Sequence, residues 1–159
     1  MGSGFIISTN GIILTNFHVL ESAYDAEIKV GENEFRDVRL VKSDPGRDLA
    51  LIKIDAKNLP ALPIGNSDTL VGGQFVVVLG SPWGFDRSVS TGVVSALRSQ
   101  GQMKLIQMTA PVSPGSSGGP VINEQGEVVG VITLASFFMA QNLNFAIPVN
   151  YLKKIISEK

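Results

Sequence analysis

Cysteine is absent from the 159 residues, so neither a disulfide nor a cysteine-rich metal site can hold this chain together. Charge is also scarce: 17% of residues are Asp, Glu, Lys or Arg, against roughly 25% in soluble domains, which leaves room for apolar surface that a partner could cover. A net charge of −1 excludes electrostatic recruitment of nucleic acid or anionic lipid. No run approaches the ~18 consecutive apolar residues of a membrane-spanning helix. The opening MGSGFIIS carries no basic residue, so no signal peptide is expected. Ile6 stands where a myristoylation pattern has Ser or Thr. Only one histidine is present, His18, so any chemistry that needs an imidazole has a single place to start.

What the chain has in quantity is short β-strand pattern. Residues 4–8 and 12–16 flank Asn10-Gly11, the dipeptide best suited to a tight type I′ hairpin. A Gly31-Glu32-Asn33 turn joins 26–30 to 34–41, and Asp44-Pro45-Gly46 leads into 49–54 (LALIKI), whose alternation predicts a half-buried strand. Residues 1–55 thus make a lobe of five strands. Residues 56–73 carry three glycines and two prolines and read as a connector. A second lobe over 74–148 holds six strands, at 74–79, 89–96, 103–108, 120–122, 128–134 and 143–147, with a Glu124-Gln125-Gly126 turn. Val149, Leu152, Ile155 and Ile156 share one face of a closing helix over 149–159, and a brief helical turn is expected near 18–23. The fold class is all-β in two halves, of the kind that builds barrels or sandwiches.

Three residues suggest chemistry only when taken together. His18 (in TNFHVL), Asp48 (in GRDLALIKI) and Ser117 (in PGSSGGP) would singly pass as a structural histidine, a turn aspartate and a loop serine. A seryl hydroxyl becomes a nucleophile when an imidazole takes its proton, and the imidazole needs a carboxylate to fix its tautomer. The resulting oxyanion needs preorganised donors, each worth about 10²–10³ in rate. A glycine-rich turn offers such donors from its backbone, here the N–H groups of Gly115 and Ser117. Residues 115–119 also satisfy G-x-S-x-G, but that nucleophile elbow requires a histidine after the serine, and none follows. The available order His18, Asp48, Ser117 is that of chymotrypsin-like proteases. Asp44 rivals Asp48 but reads as a turn former, and Ser116 is a minor rival nucleophile.

The segments GSGFIIS..GIILTNFHV, SDPGRDLALIKI, ALPIGNSDTLVGGQFVVVLGSPWGF, SVSTGVVSAL, PVSPGSSGGPVINEQGEVVGVIT and NLNFAIPV, in this order, resemble the protease domain of the HtrA/Deg family of trypsin-like serine proteases. The resemblance covers nearly the whole chain. It implies two six-stranded antiparallel β-barrels with the active site between them, a short C-terminal helix, and a covalent acyl-enzyme mechanism without metal or cofactor. It implies His18 as general base, Asp48 as its orienter, Ser117 as nucleophile, and Gly115 and Ser117 as oxyanion donors. It further implies unfolded or damaged polypeptides as substrates, homo-oligomers, and a bacterial envelope or bacterially derived organelle as location.

The chain departs from the family in several places. Ser116 stands where the family usually has Asn, and Thr109 replaces an Asp eight positions before the nucleophile. A segment near 97–103, often a longer regulatory loop in the family, is short. The first barrel shows five strands for six, so a first strand is expected before Met1 or from a partner, and no PDZ domain is expected after Lys159. Where basic-specific enzymes place a pocket Asp, this chain has Pro111, so cleavage after Lys or Arg is not expected. By similarity Val112, Ser113 and Ala135 wall the pocket, which suits Val, Ala or Leu. Phe137, Phe138 and Met139 either rim that pocket or pack on the body, and Trp83 packs or touches substrate. Gly2 and Gly4 read as strand-entry geometry. A reading from another class is a catalytically silent trypsin-fold binding or holdase module whose oxyanion hole is unformed.

Overall fold

In the computed structural model, which describes residues 1–21, 26–81, 88–134 and 143–157, the strands sort into one open sheet, one hairpin and one closed barrel. The N-terminal half contains β1 (Gly4–Ser8), β2 (Ile12–Thr15), α1 (Phe17–Glu21), β3 (Ile28–Val30), β4 (Asn33–Phe35), β5 (Val38–Asp44) and β6 (Leu49–Ile54). Its described residues hold six strands rather than the expected five, because the run 34–41 divides at Arg36 and Asp37. β4 pairs only with β3, while β5 pairs with β6. The antiparallel sheet has the order β1-β2-β6-β5 and does not close, and β3 and β4 stand apart as a hairpin.

The first hairpin also differs from the type I′ expectation. Gly11 donates to the Ser8 carbonyl at 3.0 Å and alone takes a positive φ of 93°, while Asn10 does not. This is a three-residue loop whose last residue makes a glycine bulge. Only glycine fits there, since a Cβ on Gly11 would lie 2.4 Å from the Ile54 carbonyl oxygen.

The expectation of a half-buried β6 is likewise corrected. Leu49 and Leu51 enter a core shared with the C-terminal half, while Ile52 and Ile54 on the other face enter the N-terminal half's own cluster with Ile13. Both faces are covered, so the strand reads as a continuous apolar run interrupted only by Lys53. The shared core brings Phe5, Leu14, Leu49 and Leu51 against Leu105, Val128, Val131 and Ile147. That packing fixes one half on the other.

The C-terminal half contains β7 (Phe75–Gly80), β8 (Ser88–Gln100), β9 (Met103–Met108), β10 (Pro120–Ile122), β11 (Val128–Thr133), β12 (Asn144–Pro148) and α2 (Tyr151–Ser157). Its strands close a barrel in the order β10-β11-β12-β9-β8-β7, with β10 pairing back on β7. β8 outruns its expected ends because it serves two neighbours. Residues 88–93 pair with β7 and residues 94–100 with β9, with a register shift between Val94 and Ala96. The strand turns its corner at Gly92, where a Cβ would lie 2.3 Å from the Ala110 nitrogen. The segment near 97–103 is the end of this ladder, closed by a turn at Gly101.

Residues 56–73 run as a strap over both halves. Leu59 and Leu62 donate to Thr9 and Ile6 carbonyls, and Val128 donates to Pro63. α2 docks through Leu152 and Ile155. Ala135, Trp83, Phe137, Phe138 and Met139 lie outside the described residues.

Candidate active site

Asp48 is placed by a turn that the stretch DPGRD encodes. Asp44 caps a 3-10 turn over Pro45–Arg47, its carboxylate accepting from the Arg47 N–H and pairing with the Arg47 guanidinium. The next residue, Asp48, ends that turn in the left-handed region (φ 54°, ψ 42°), a conformation that aspartate tolerates better than most residues. Asp44 thus serves the turn. Asp48 is aimed at α1.

One Asp48 oxygen, Oδ1, accepts from the His18 backbone N–H at 2.9 Å, a first-turn amide of α1 that lacks an intrahelical partner. The other, Oδ2, lies 2.8 Å from His18 Nδ1 and also accepts from Thr133 Oγ1 at 3.2 Å. The Asp48 side chain is 18% exposed and that of His18 38%, so the pair sits at a wall open on the imidazole side. A carboxylate on Nδ1 holds the proton there and leaves Nε2 as the basic nitrogen. Thr133 comes from β11, so both halves contribute to the pair.

Asn16, fully buried just before α1, donates from Nδ2 to the Asp48 carbonyl at 3.0 Å. Its Oδ1 has no hydrogen-bond partner among the described residues. Replacing Asn16 with leucine removes an unsatisfied oxygen but leaves the Asp48 carbonyl without this donor, so stability is expected to fall by about 1–3 kcal/mol. The strained Asp48 backbone also loses its tether, and kcat is expected to fall ~10-fold, the equivalent of about 1.4 kcal/mol in the barrier. Thermal melts beside steady-state kinetics check both halves of that expectation.

Residues 113–116 form a turn in which the Ser116 N–H donates to the Ser113 carbonyl at 2.9 Å. Pro114 at the second place and Gly115 at the third, with φ 96°, match a type II turn. The Gly118 and Gly119 N–H groups donate to Ile132 and Ser116 carbonyls. The N–H groups of Gly115 and Ser117 make no hydrogen bond among the described residues. Those are the two amides expected as oxyanion donors. Ser117 is 5% exposed, and its Oγ likewise has no hydrogen bond among the described residues, with His18 or otherwise.

The loop is seated against the N-terminal half by close backbone approach. A Cβ on Gly118 (φ 89°) would lie 2.1 Å from the Ser3 carbonyl oxygen and 2.5 Å from Thr15 Oγ1. Gly118→Ala is therefore expected to destabilise by at least about 2 kcal/mol, read as a melting temperature lower by ~5 °C or more. A melt within ~2 °C of the parent would contradict the seating.

Among the pocket residues, Val112 packs on the barrel core. Ser113 and Ser116 line a cavity of about 190 Å³ with Val78, Gly80, Ser88–Ser90 and Pro111, none of them charged among the described residues. Thr109, where the resemblance expects aspartate, bonds through Oγ1 to the Val93 N–H at 2.9 Å and so ties the loop's approach to β8. Asn16, Thr133, Thr15 and Ser3 carried no chemical signal of their own in the sequence, although all four lie inside the segments that carry the resemblance, Thr15 and Asn16 in the TNFHVL stretch around His18.

A closed β-barrel joined through a shared core to a second β-sheet lobe, with a His–Asp pair on one half and a glycine-rich serine loop on the other, defines the class: a trypsin-like peptidase fold. Residues 2–131 match the trypsin-like peptidase domain, and the chain belongs to that family, among relatives of the HtrA/Deg type. It is 44% identical over 158 residues to a probable periplasmic serine endoprotease, DegP-like, of Pseudomonas fluorescens, a match covering 94% of this chain and 33% of the relative. A protein of the same description from a Marinomonas species is 41% identical, covering 99% of this chain and 35% of its own. The solved structure of the HtrA-type protease AlgW with a decapeptide superposes with a TM-score of 0.88 at 36% identity, covering 98% of this chain and 50% of that one. The chain thus spans about a third of the curated relatives' length.

Proposed function

We propose that this chain is the catalytic domain of a serine endopeptidase, with Ser117 as nucleophile, His18 as general base and acid, and Asp48 as its orienter. The observation that carries the reading is the pair of unpartnered amides at Gly115 and Ser117 on the loop that bears a buried serine. Ser117 Oγ passes its proton to His18 Nε2 as it attacks the substrate carbonyl, and the tetrahedral oxygen takes the two amides. Collapse expels the amine, protonated by His18, and leaves an acyl-enzyme that water clears by the same steps in reverse order. The Ser117–His18 hydrogen bond forms when substrate closes the site, as such bonds often do.

The substrates are unfolded polypeptides, the compartment is the bacterial periplasm, and the working form is a homo-oligomer. These readings rest on the relatives' kind. The resemblance puts Val112, Ser113 and Ala135 around a pocket for Val, Ala or Leu, and Pro111 stands where basic-specific enzymes carry a pocket Asp. Mass-spectrometric mapping of cuts in a reduced, unfolded protein tests it. Cuts after small aliphatic residues are expected, and cuts chiefly after Arg would contradict the pocket.

A second reading, a silent trypsin-fold binding or holdase module, is favoured by one feature: Ser117 Oγ is not bonded to His18. It predicts suppression of aggregation by both the parent and Ser117→Ala, with no cleavage by either.

A further inference from the structure

Ser3 spends every polar group it has on the active-site frame. Its N–H donates to the Ser117 carbonyl at 2.7 Å. Its hydroxyl donates to the Gly115 carbonyl at 2.7 Å and accepts from the Ser81 N–H at 3.1 Å. Its carbonyl accepts from Thr15 Oγ1 at 2.6 Å. The two carbonyls it holds belong to the two residues whose N–H groups stand unpartnered. That coincidence has a geometric meaning.

A residue's carbonyl lies in the peptide plane after it, and its N–H in the plane before it. Ser3 therefore pins the 115–116 plane through its hydroxyl and the 117–118 plane through its N–H. The plane between them, 116–117, carries the Ser117 N–H. The 114–115 plane carries the Gly115 N–H and lies between the pinned 115–116 plane and the Ser113 carbonyl held by Ser116. Bonds within the C-terminal half also hold these planes, from the Ser116, Gly118 and Gly119 N–H groups to the Ser113, Ile132 and Ser116 carbonyls, but none of those bonds reaches the Gly115 or Ser117 carbonyl. Gly115 and Gly118, both at positive φ, leave the planes room to tilt within those bonds. Thr15, three positions before His18 in the chain, anchors Ser3 to the end of β2. The N-terminal half thus trims the loop's angle through one residue.

We propose that Ser3 is a positioning residue for the oxyanion-binding amides, its hydroxyl acting through the Gly115 carbonyl and its backbone N–H through the Ser117 carbonyl to keep the Gly115 and Ser117 N–H groups convergent on one point. This rests on the peptidase reading. Removing the hydroxyl frees the Gly115 carbonyl while the Ser117 carbonyl stays held by the Ser3 N–H, so both donors remain present but the pair is loosely aimed at its Gly115 end. The loss of kcat is then at least about tenfold, short of the ~10²–10³ that follows deletion of a donor outright. KM is nearly unchanged, because the tetrahedral oxygen, not the bound substrate, uses the amides.

The test uses the full chain with Ser3→Ala and Ser3→Thr, beside the parent and Ser117→Ala, on a fluorogenic peptide cleaved by the parent. A peptide boronate, whose tetrahedral adduct places an oxygen at the two amides, reports the same site without turnover. Ser3→Ala is expected to lower kcat by about tenfold or more with KM within about twofold, and to weaken the boronate by the same factor as kcat. Ser3→Thr keeps the hydroxyl and should stay within about threefold of the parent. A Ser3→Ala kcat equal to the parent's, a change in KM alone, or equal losses in the alanine and threonine variants would each overturn the proposal. If Ser3→Ala does not fold, Ser3→Cys, close in size and a weak donor, takes its place with the same expectation. Failure of both to fold also overturns it. A parent with no Ser117-dependent turnover overturns the peptidase reading and this proposal together, whereas an active parent matched by Ser3→Ala overturns this proposal alone.

Discussion

Ser117→Ala is expected to lower kcat on a peptide substrate by about 10⁴-fold or more, with KM close to the parent's. The hydroxyl is the atom that forms the acyl bond, so no neighbouring group replaces it. Ser116, the adjacent hydroxyl, is 4% exposed with its side chain packed on Gly80 of β7, and its N–H closes the 113–116 turn. It offers no second route. The substitution should leave the fold intact, because Ser117 Oγ makes no hydrogen bond among the described residues and nothing is orphaned by its removal. A melting temperature within ~2 °C of the parent is expected. Residual turnover within about tenfold of the parent would remove Ser117 from the nucleophile's role.

Asp48→Asn is expected to cost about 10⁴ in kcat with little change in fold. Asparagine tolerates the left-handed backbone as well as aspartate does, so φ 54° at this position is no obstacle. The carboxylate, however, accepts three times: from the His18 N–H, from His18 Nδ1 and from Thr133 Oγ1. An amide has one accepting oxygen and one donating nitrogen. Keeping Oδ1 toward the α1 amide turns the NH₂ toward His18 Nδ1, which must then accept. That moves the imidazole proton to Nε2, and Nε2 can no longer take the proton of Ser117. Nuclear magnetic resonance of the single histidine provides a direct check, since its ring-nitrogen shifts should report the exchanged tautomer. A variant with near-parental kcat, or an unchanged tautomer, would sink this assignment of Asp48.

Much of this was legible in the sequence, for identifiable reasons. The strands of the C-terminal half other than β8 fall within about a residue of where alternation and turn residues put them, and two of their connections are glycine turns at Gly101 and Gly126. The SPGS turn is legible too, because proline and glycine at adjacent places specify type II. What escaped was set by distant pairings. β6 looks half-buried by its pattern, yet while Ile52 and Ile54 pack within the N-terminal half, Leu49 and Leu51 on the other face are covered by residues far along the chain such as Leu105, Val128 and Ile147. The N-terminal strand count failed at Arg36-Asp37, two polar residues that could as easily have continued a strand. Ser3 looks like a strand-entry residue between two glycines; its bond to Gly115 spans 112 positions, and no local pattern encodes such a partner. Thr133 is similar, reaching Asp48 from 85 positions away. Its place inside the barrel strand VVGVIT gives no hint of a carboxylate at its end.

The measurement that bears most directly on the active-site assignment is the intact mass of the purified chain after exposure to a fluorophosphonate, run beside Ser117→Ala and His18→Ala. The reagent forms a bond from Ser117 Oγ to phosphorus and expels fluoride, and the phosphoryl oxygen needs the same two amides as a tetrahedral intermediate. One adduct per chain, lost in both variants, is the predicted result. A folded chain that gains no mass, or an adduct that persists in Ser117→Ala, would contradict the site described above.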